Sequence, residues 1–104
     1  MGTLEILQTG EYRRWFEGLR DLGARCRIEA RLRRLSIGSL GDFRSVGEGV
    51  LELRIDCGPG YHLYLVRRGQ AVVVLLAGGD KGSQRRDTER AKELARMEVE
   101  AADG

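Results

Sequence analysis

Apolar side chains recur at helical spacing over the first forty residues and at strand spacing from residue 42 onward. Leu4 to Gln8 form a short apolar-rich run that predicts a strand, ending at Thr9-Gly10. Tyr12, Trp15, Phe16, Leu19 and Leu22 follow at intervals of three and four, the stripe of an amphipathic helix. Thr9 suits the cap of that helix and Glu11 its positive N-terminal end. Gly23 is expected to interrupt it. A second stripe through Ala24, Ile28, Leu32 and Leu35 stops at Gly38, completing a helical hairpin.

Alternation then takes over. Leu51, Leu53, Ile55 and Cys57 interleave with Glu52, Arg54 and Asp56, which predicts a strand with one buried and one charged face. Beyond Gly58-Pro59-Gly60, Tyr61, Leu63 and Leu65 fall on one side, and His62, Tyr64 and Val66 on the other. Arg67-Arg68-Gly69-Gln70 reads as a turn. Ala71 to Ala77 is almost continuously apolar, as in a strand covered on both faces, and Gly78-Gly79 is expected to end it. Ser83 then caps a last helix carrying Ala91, Leu94 and Ala95, with 97–104 a flexible tail. The order of elements predicts an α+β fold: an N-terminal strand and helical hairpin, an antiparallel meander and a C-terminal helix.

Composition narrows this picture. A chain of 104 residues with 41% apolar side chains fits one domain, 1–104. A third of the residues are charged but the net charge is only +2, so any surface attractive to nucleic acid must be local. No positively charged start precedes a long apolar run, and no stretch approaches a membrane span, so a cytoplasmic protein is expected. Cys26 and Cys57 lack metal-ligand spacing and are read as reduced thiols.

The candidate chemistry gathers around Cys57-Gly58-Pro59-Gly60-Tyr61-His62-Leu63-Tyr64, which holds the only proline and the only histidine. If Cys57 pairs with Tyr61, Asp56 lies opposite His62 and Arg54 opposite Tyr64. Such a face is either the solvated side of a sheet or a site held by a rigid turn. The next strand delivers Lys81 and Gln84 to the same edge. A single histidine rules out a two-histidine ribonuclease within one chain. No cluster of carboxylates and histidines resembles a metal site, and neither a phosphate loop nor a nucleophile elbow is present, so no cofactor is expected. Cations beside an aromatic ring suit a phosphodiester and a stacked base. Arg25, Arg27, Arg31, Arg33 and Arg34 crowd the second helix, as a solvated face or as a patch for structured RNA.

Three segments, ILQTGEYRRWFEGL, ELRIDCGPGYHLYLVRRG and LLAGGDKGSQRRDTERAKELA, together resemble the RelE/ParE superfamily of toxins, in its HigB-like or addiction-module killer branch. The resemblance runs from Leu4 to about Ala95. It implies two helices packed on one side of a curved, mainly antiparallel sheet. It also implies the toxin of a type II toxin–antitoxin system, neutralised by a small antitoxin, often a helix-turn-helix protein. RelE-like and HigB-like members cut messenger RNA in the ribosomal A site, using the substrate's own 2′-hydroxyl as nucleophile. On that pattern Arg54 holds the phosphate, Lys81 is a second cation able to join in proton transfer, and Gln84 and Tyr64 orient the nucleotide by hydrogen bonding and stacking. Arg25 and Arg31 are the helical candidates for RNA contact. His62 stands where the family commonly has arginine after GPGY, so an imidazole replaces a phosphate-binding cation and brings acid–base function. The ParE-like branch inhibits DNA gyrase without nuclease activity, and inactive members acting as antitoxin-bound co-repressors are the third possibility.

Overall fold

The computed structural model describes residues 3–103, with side chains through Glu98. Strand β1 (Glu5–Gln8) leads into helices α1 (Gly10–Glu17) and α2 (Leu22–Ser36). Strands β2 (Phe43–Gly47), β3 (Val50–Ile55), β4 (Tyr61–Arg68) and β5 (Val72–Asp80) follow, then a 3₁₀ turn (Lys81–Ser83) and helix α3 (Gln84–Asp103). The backbone of the segment expected as a tail is therefore helical as far as Asp103. The sheet order is β1-β5-β4-β3-β2, antiparallel throughout except for β1, which lies parallel to β5. The α+β class and the strand-hairpin-meander-helix order agree with the pattern in the sequence.

The predicted faces of β4 are those observed. Leu63, Leu65, Val73 and Leu75 are buried with Tyr12, Ile28 and Leu35 of the helical hairpin. Tyr64, Val74 and Leu76 are buried with Ala91, Leu94 and Ala95 of α3 on the opposite face. The sheet is thus covered on both sides, as the unbroken apolar run of β5 requires. The charged face expected to meet solvent lies partly beneath α3.

Caps decide where the helices begin. Thr9 Oγ1 accepts from Tyr12 N at 3.0 Å and donates to Leu76 O at 2.7 Å, so one hydroxyl caps α1 and ties it to β5. The break between the helices falls at Gly18–Asp21 rather than at Gly23. Asp21 Oδ1 accepts from Ala24 N at 3.1 Å, which starts α2 before the glycine and leaves Gly23 inside its first turn. Leu22, counted in the first stripe, is 69% exposed. At the other end, Ser39 N donates to Arg34 O and Gly38 N to Leu35 O, both at 2.9 Å, a closure that stops α2 as the glycine predicts.

Strand β5 does not end at Gly78-Gly79 but runs through both to Asp80. These glycines serve close approach. A Cβ on Gly78 would collide with the ring of Trp15, and one on Gly79 with the Asp87 carboxylate. A bulge between Tyr64 and Leu65, with Leu76 unmatched on β5, sets the faces of this last stretch.

Candidate functional site

The hairpin of β3 and β4 closes through five residues, Asp56 to Gly60, and pairs Ile55 with Tyr61. Gly58 (φ 57°) and Gly60 (φ 88°) take left-handed backbone around Pro59, and Gly60 N donates to Cys57 O at 2.9 Å. This corrects the expected register. Arg54, not Asp56, lies opposite His62, and Glu52, not Arg54, lies opposite Tyr64. The slip is of two residues, so every side chain keeps its face while its neighbour changes.

On the other side His62 pairs with Gly79 of β5. Arg54, His62 and Gly79 therefore form one row across three strands, with Glu52, Tyr64 and Ala77 as the next row. Continuing β5 to Asp80 sets Lys81 beyond this row. Asp80 Oδ1 accepts from Gly82 N at 2.9 Å and caps the 3₁₀ turn that presents the lysine. Ser83, expected as a cap, instead bonds the Asp87 carboxylate.

The outcome is a groove of about 310 Å³ lined by Arg54, Asp56, Gly58, Pro59, Gly60, His62, Lys81 and Gln84. Arg54 is exposed, its Nε only 4.0 Å from Asp42 Oδ2, a loose contact that leaves the guanidinium available. Lys81 is exposed, whereas His62 is 5% exposed, with Nδ1 buried and unpartnered among the described residues. Burial holds the imidazole pKa below its ordinary 6.5; the nearby Arg54 and Arg44 act in the same direction, against Glu52 and Asp87. At neutral pH the ring is uncharged and able to accept a proton.

Beneath this row lies Glu52, which the alternation placed on a charged outer face. It is 1% exposed, accepting from Arg44 Nε at 2.8 Å and Gln84 Nε2 at 3.0 Å. Burial disfavours its charge, but the bonds from Gln84 and Arg44 prevail and keep the carboxyl below its usual range. Gln84, first residue of α3, is thereby held at the groove wall by its amide nitrogen. Glu52 went unread as a site residue because nothing local to β3 reveals that α3 will cover it.

Two expectations meet different environments. The Tyr64 ring is fully buried under α3, its hydroxyl donating to Gln84 O at 3.3 Å and accepting from Thr88 Oγ1 at 3.2 Å, so it offers no face for a base to stack on. Burial also pushes its hydroxyl pKa up. Arg31 is 7% exposed and spends its guanidinium on backbone carbonyls: Leu40 O at 2.7 and 3.2 Å, Asp42 O at 2.6 Å and Arg54 O at 2.6 Å. It holds α2 to the end of β3 instead of meeting RNA. Arg25 sits 5.0 Å over the Phe16 ring. Cys26 and Cys57 are free thiols. Among the described residues no helix is long and apolar enough to cross a membrane.

No family model matches the chain. An "Uncharacterized protein" of Haemophilus influenzae is 44% identical over 93 residues, spanning 89% of this chain and 94% of its own length.

Proposed function

We propose, for a chain that belongs to the same family as this Haemophilus influenzae protein, an endoribonuclease activity: the toxin of a type II toxin–antitoxin system that cuts messenger RNA on the ribosome. The observation that carries the reading is the shared groove of Arg54, His62 and Lys81. A proton acceptor, a permanently charged guanidinium and a proton-bearing ammonium line one concave surface of nucleotide size.

The tasks follow from the reaction. The 2′-hydroxyl attacks the adjacent phosphorus, the P–O5′ bond breaks, and the products are a 2′,3′-cyclic phosphate and a 5′-hydroxyl. Neutral His62 takes the proton from the attacking hydroxyl. Arg54, with its planar fork, holds two oxygens of the crowded phosphate. Lys81 faces the leaving side and supplies the proton to the 5′-oxygen. Gln84, fixed by Glu52, has its side-chain carbonyl free to orient the nucleotide. The partners that follow are messenger RNA in the ribosome and an antitoxin that covers the groove.

Mapping RNA 5′ ends after expression tests the proposal. New ends inside translated codons are expected, lost with Arg54→Ala or Lys81→Ala, each lowering cleavage by about a hundredfold or more. Intact RNA with DNA damage would instead indicate a gyrase inhibitor. Harmless expression of folded protein would indicate an inactive co-repressor.

A further inference from the structure

The groove does not end at Arg54. A second trough of about 400 Å³ continues from it between α2 and the end of β3, and the two share Arg54, Ile55 and Asp56. Arg27 and Arg34 line this second trough. With Arg31 they stand at positions i, i+4 and i+7 of α2, hence on one helical face. The middle arginine is turned inward onto the carbonyls of Leu40, Asp42 and Arg54, while the outer two are exposed. Seven residues of helix separate Arg27 from Arg34 by about 10 Å along the axis. Among the described residues neither forms an ion pair.

Resting on the RNA reading above, we infer that this trough is an extended phosphate track: the strand cut between Arg54 and Lys81 runs on past Arg54, with its next phosphates on Arg27 and Arg34. Three exposed guanidiniums face two carboxylates, Asp42 and Asp56, so the trough carries net positive charge. A phosphate reaching Arg54 displaces only its 4.0 Å contact with Asp42. Arg31 serves the track without touching RNA. By bonding Arg54 O it locks the strand end that joins the two troughs, so Arg27, Arg34 and Arg54 keep a constant spacing. The contacts are to phosphate and carry no base specificity.

The test is fluorescence anisotropy of the full chain with uncleavable 2′-O-methyl oligoribonucleotides, a trimer and a nonamer, titrated with salt. For the native chain the nonamer is expected to bind tighter, with a log K against log salt slope steeper by about 1.4, the value for two extra phosphates on a single strand. The double variant R27A/R34A should bring the nonamer slope down to that of the trimer and leave trimer binding unchanged. R27K/R34K should restore it, since a phosphate needs only the charge. Both positions are exposed and helical, where alanine keeps the fold. Equal slopes for the two lengths, an equal loss for both in R27A/R34A, or no binding of either would overturn the track. The cleavage reading stands or falls separately, on the mapped 5′ ends.

Discussion

Glu52 and His62 are two ionisable groups on neighbouring strands whose surroundings push them toward opposite charge states. The carboxylate is held ionised by Gln84 and Arg44, while burial holds the imidazole neutral. Each has a pH consequence of definite sign. A depressed imidazole pKa keeps the proton acceptor available at and below neutrality, so cleavage should stay level through pH 7 and fall only in acid, below the ordinary 6.5. A pH–rate profile checks this, and an acid limb already complete at pH 7 would contradict it. For stability, the unfolded chain binds a proton at Glu52 more readily than the folded one. The contribution of Glu52 is therefore present above the ordinary 4.5 and lost as pH falls below it. Glu52→Gln should flatten that part of a urea-midpoint series measured from pH 3 to 6. Tyr64 is the opposite case, a residue whose aromatic ring suggests a stacking role and whose burial makes it core. Tyr64→Phe is expected to cost about 1 kcal/mol for its lost hydroxyl bonds, and to leave cleavage of an RNA substrate within about threefold, below the 1–3 kcal/mol of a lost stacking platform.

At the scale of elements, the groove depends on two close contacts between neighbouring pieces of the fold. Arg31 joins α2 to the end of β3 and to the segment entering β2 through four hydrogen bonds to carbonyls. Arg31→Leu leaves three carbonyls without this donor and should lower unfolding stability by about 3 kcal/mol. Arg31→Lys should recover only part, because an ammonium lacks the planar fork that reaches all three acceptors. Urea unfolding of both variants measures the difference. Gly79 is the second contact, where β5 passes under Asp87 and Ser83 beside His62. Gly79→Ala is expected to turn the Asp87 carboxylate and the Ser83 hydroxyl aside and break the bond between them, costing about 1 kcal/mol. Cleavage should fall by more than the unfolded fraction accounts for. A variant of native stability and native rate would show that the approach is not needed. Much of this scale is legible beforehand: Thr9 caps where its position suggests, Gly38 closes α2, and the period of two along β4 assigns both faces. The start of α2 is not, because Asp21 outcompetes Gly23 as a boundary only through a cap whose geometry the spacing does not show.

At the scale of the whole molecule, the sheet is a central layer with the helical hairpin on one face and α3 on the other. Two bidentate ion pairs fasten α3 at the surface, Arg90 to Glu11 and Arg96 to Glu48, so it is tied to α1 and to the β2–β3 turn. Val74, Leu76 and Tyr64 depend on α3 for their cover. A chain ended at Ser83 should bind a hydrophobic dye and lose cooperative unfolding, whereas Arg96→Ala, which breaks one exposed and solvent-screened pair, should leave the urea midpoint close to native. The groove opens at the one edge where α3 has just begun, at the ends of β3 and β5, which keeps Arg54 and Lys81 exposed while His62 and Glu52 are shielded.

The sequence alone determined the order of the main helices and strands and which side of β4 is apolar, because those follow from spacing within a few residues. It left out β2, whose largely exposed Phe43–Gly47 shows no buried alternation. It did bring Arg54, Asp56, His62, Tyr64, Lys81 and Gln84 to notice as one polar edge, of which Tyr64 is core in the structure. Tertiary structure decided their neighbours. The glycine–proline–glycine turn admits registers two residues apart that preserve every face, and only packing against β5 and the hairpin selects one. It decided, too, that Arg31 is buried while Arg27 and Arg34 remain outside. Their chemistry is identical, and the difference lies in three carbonyls, 9 to 23 residues further along the chain, that reach only the middle guanidinium.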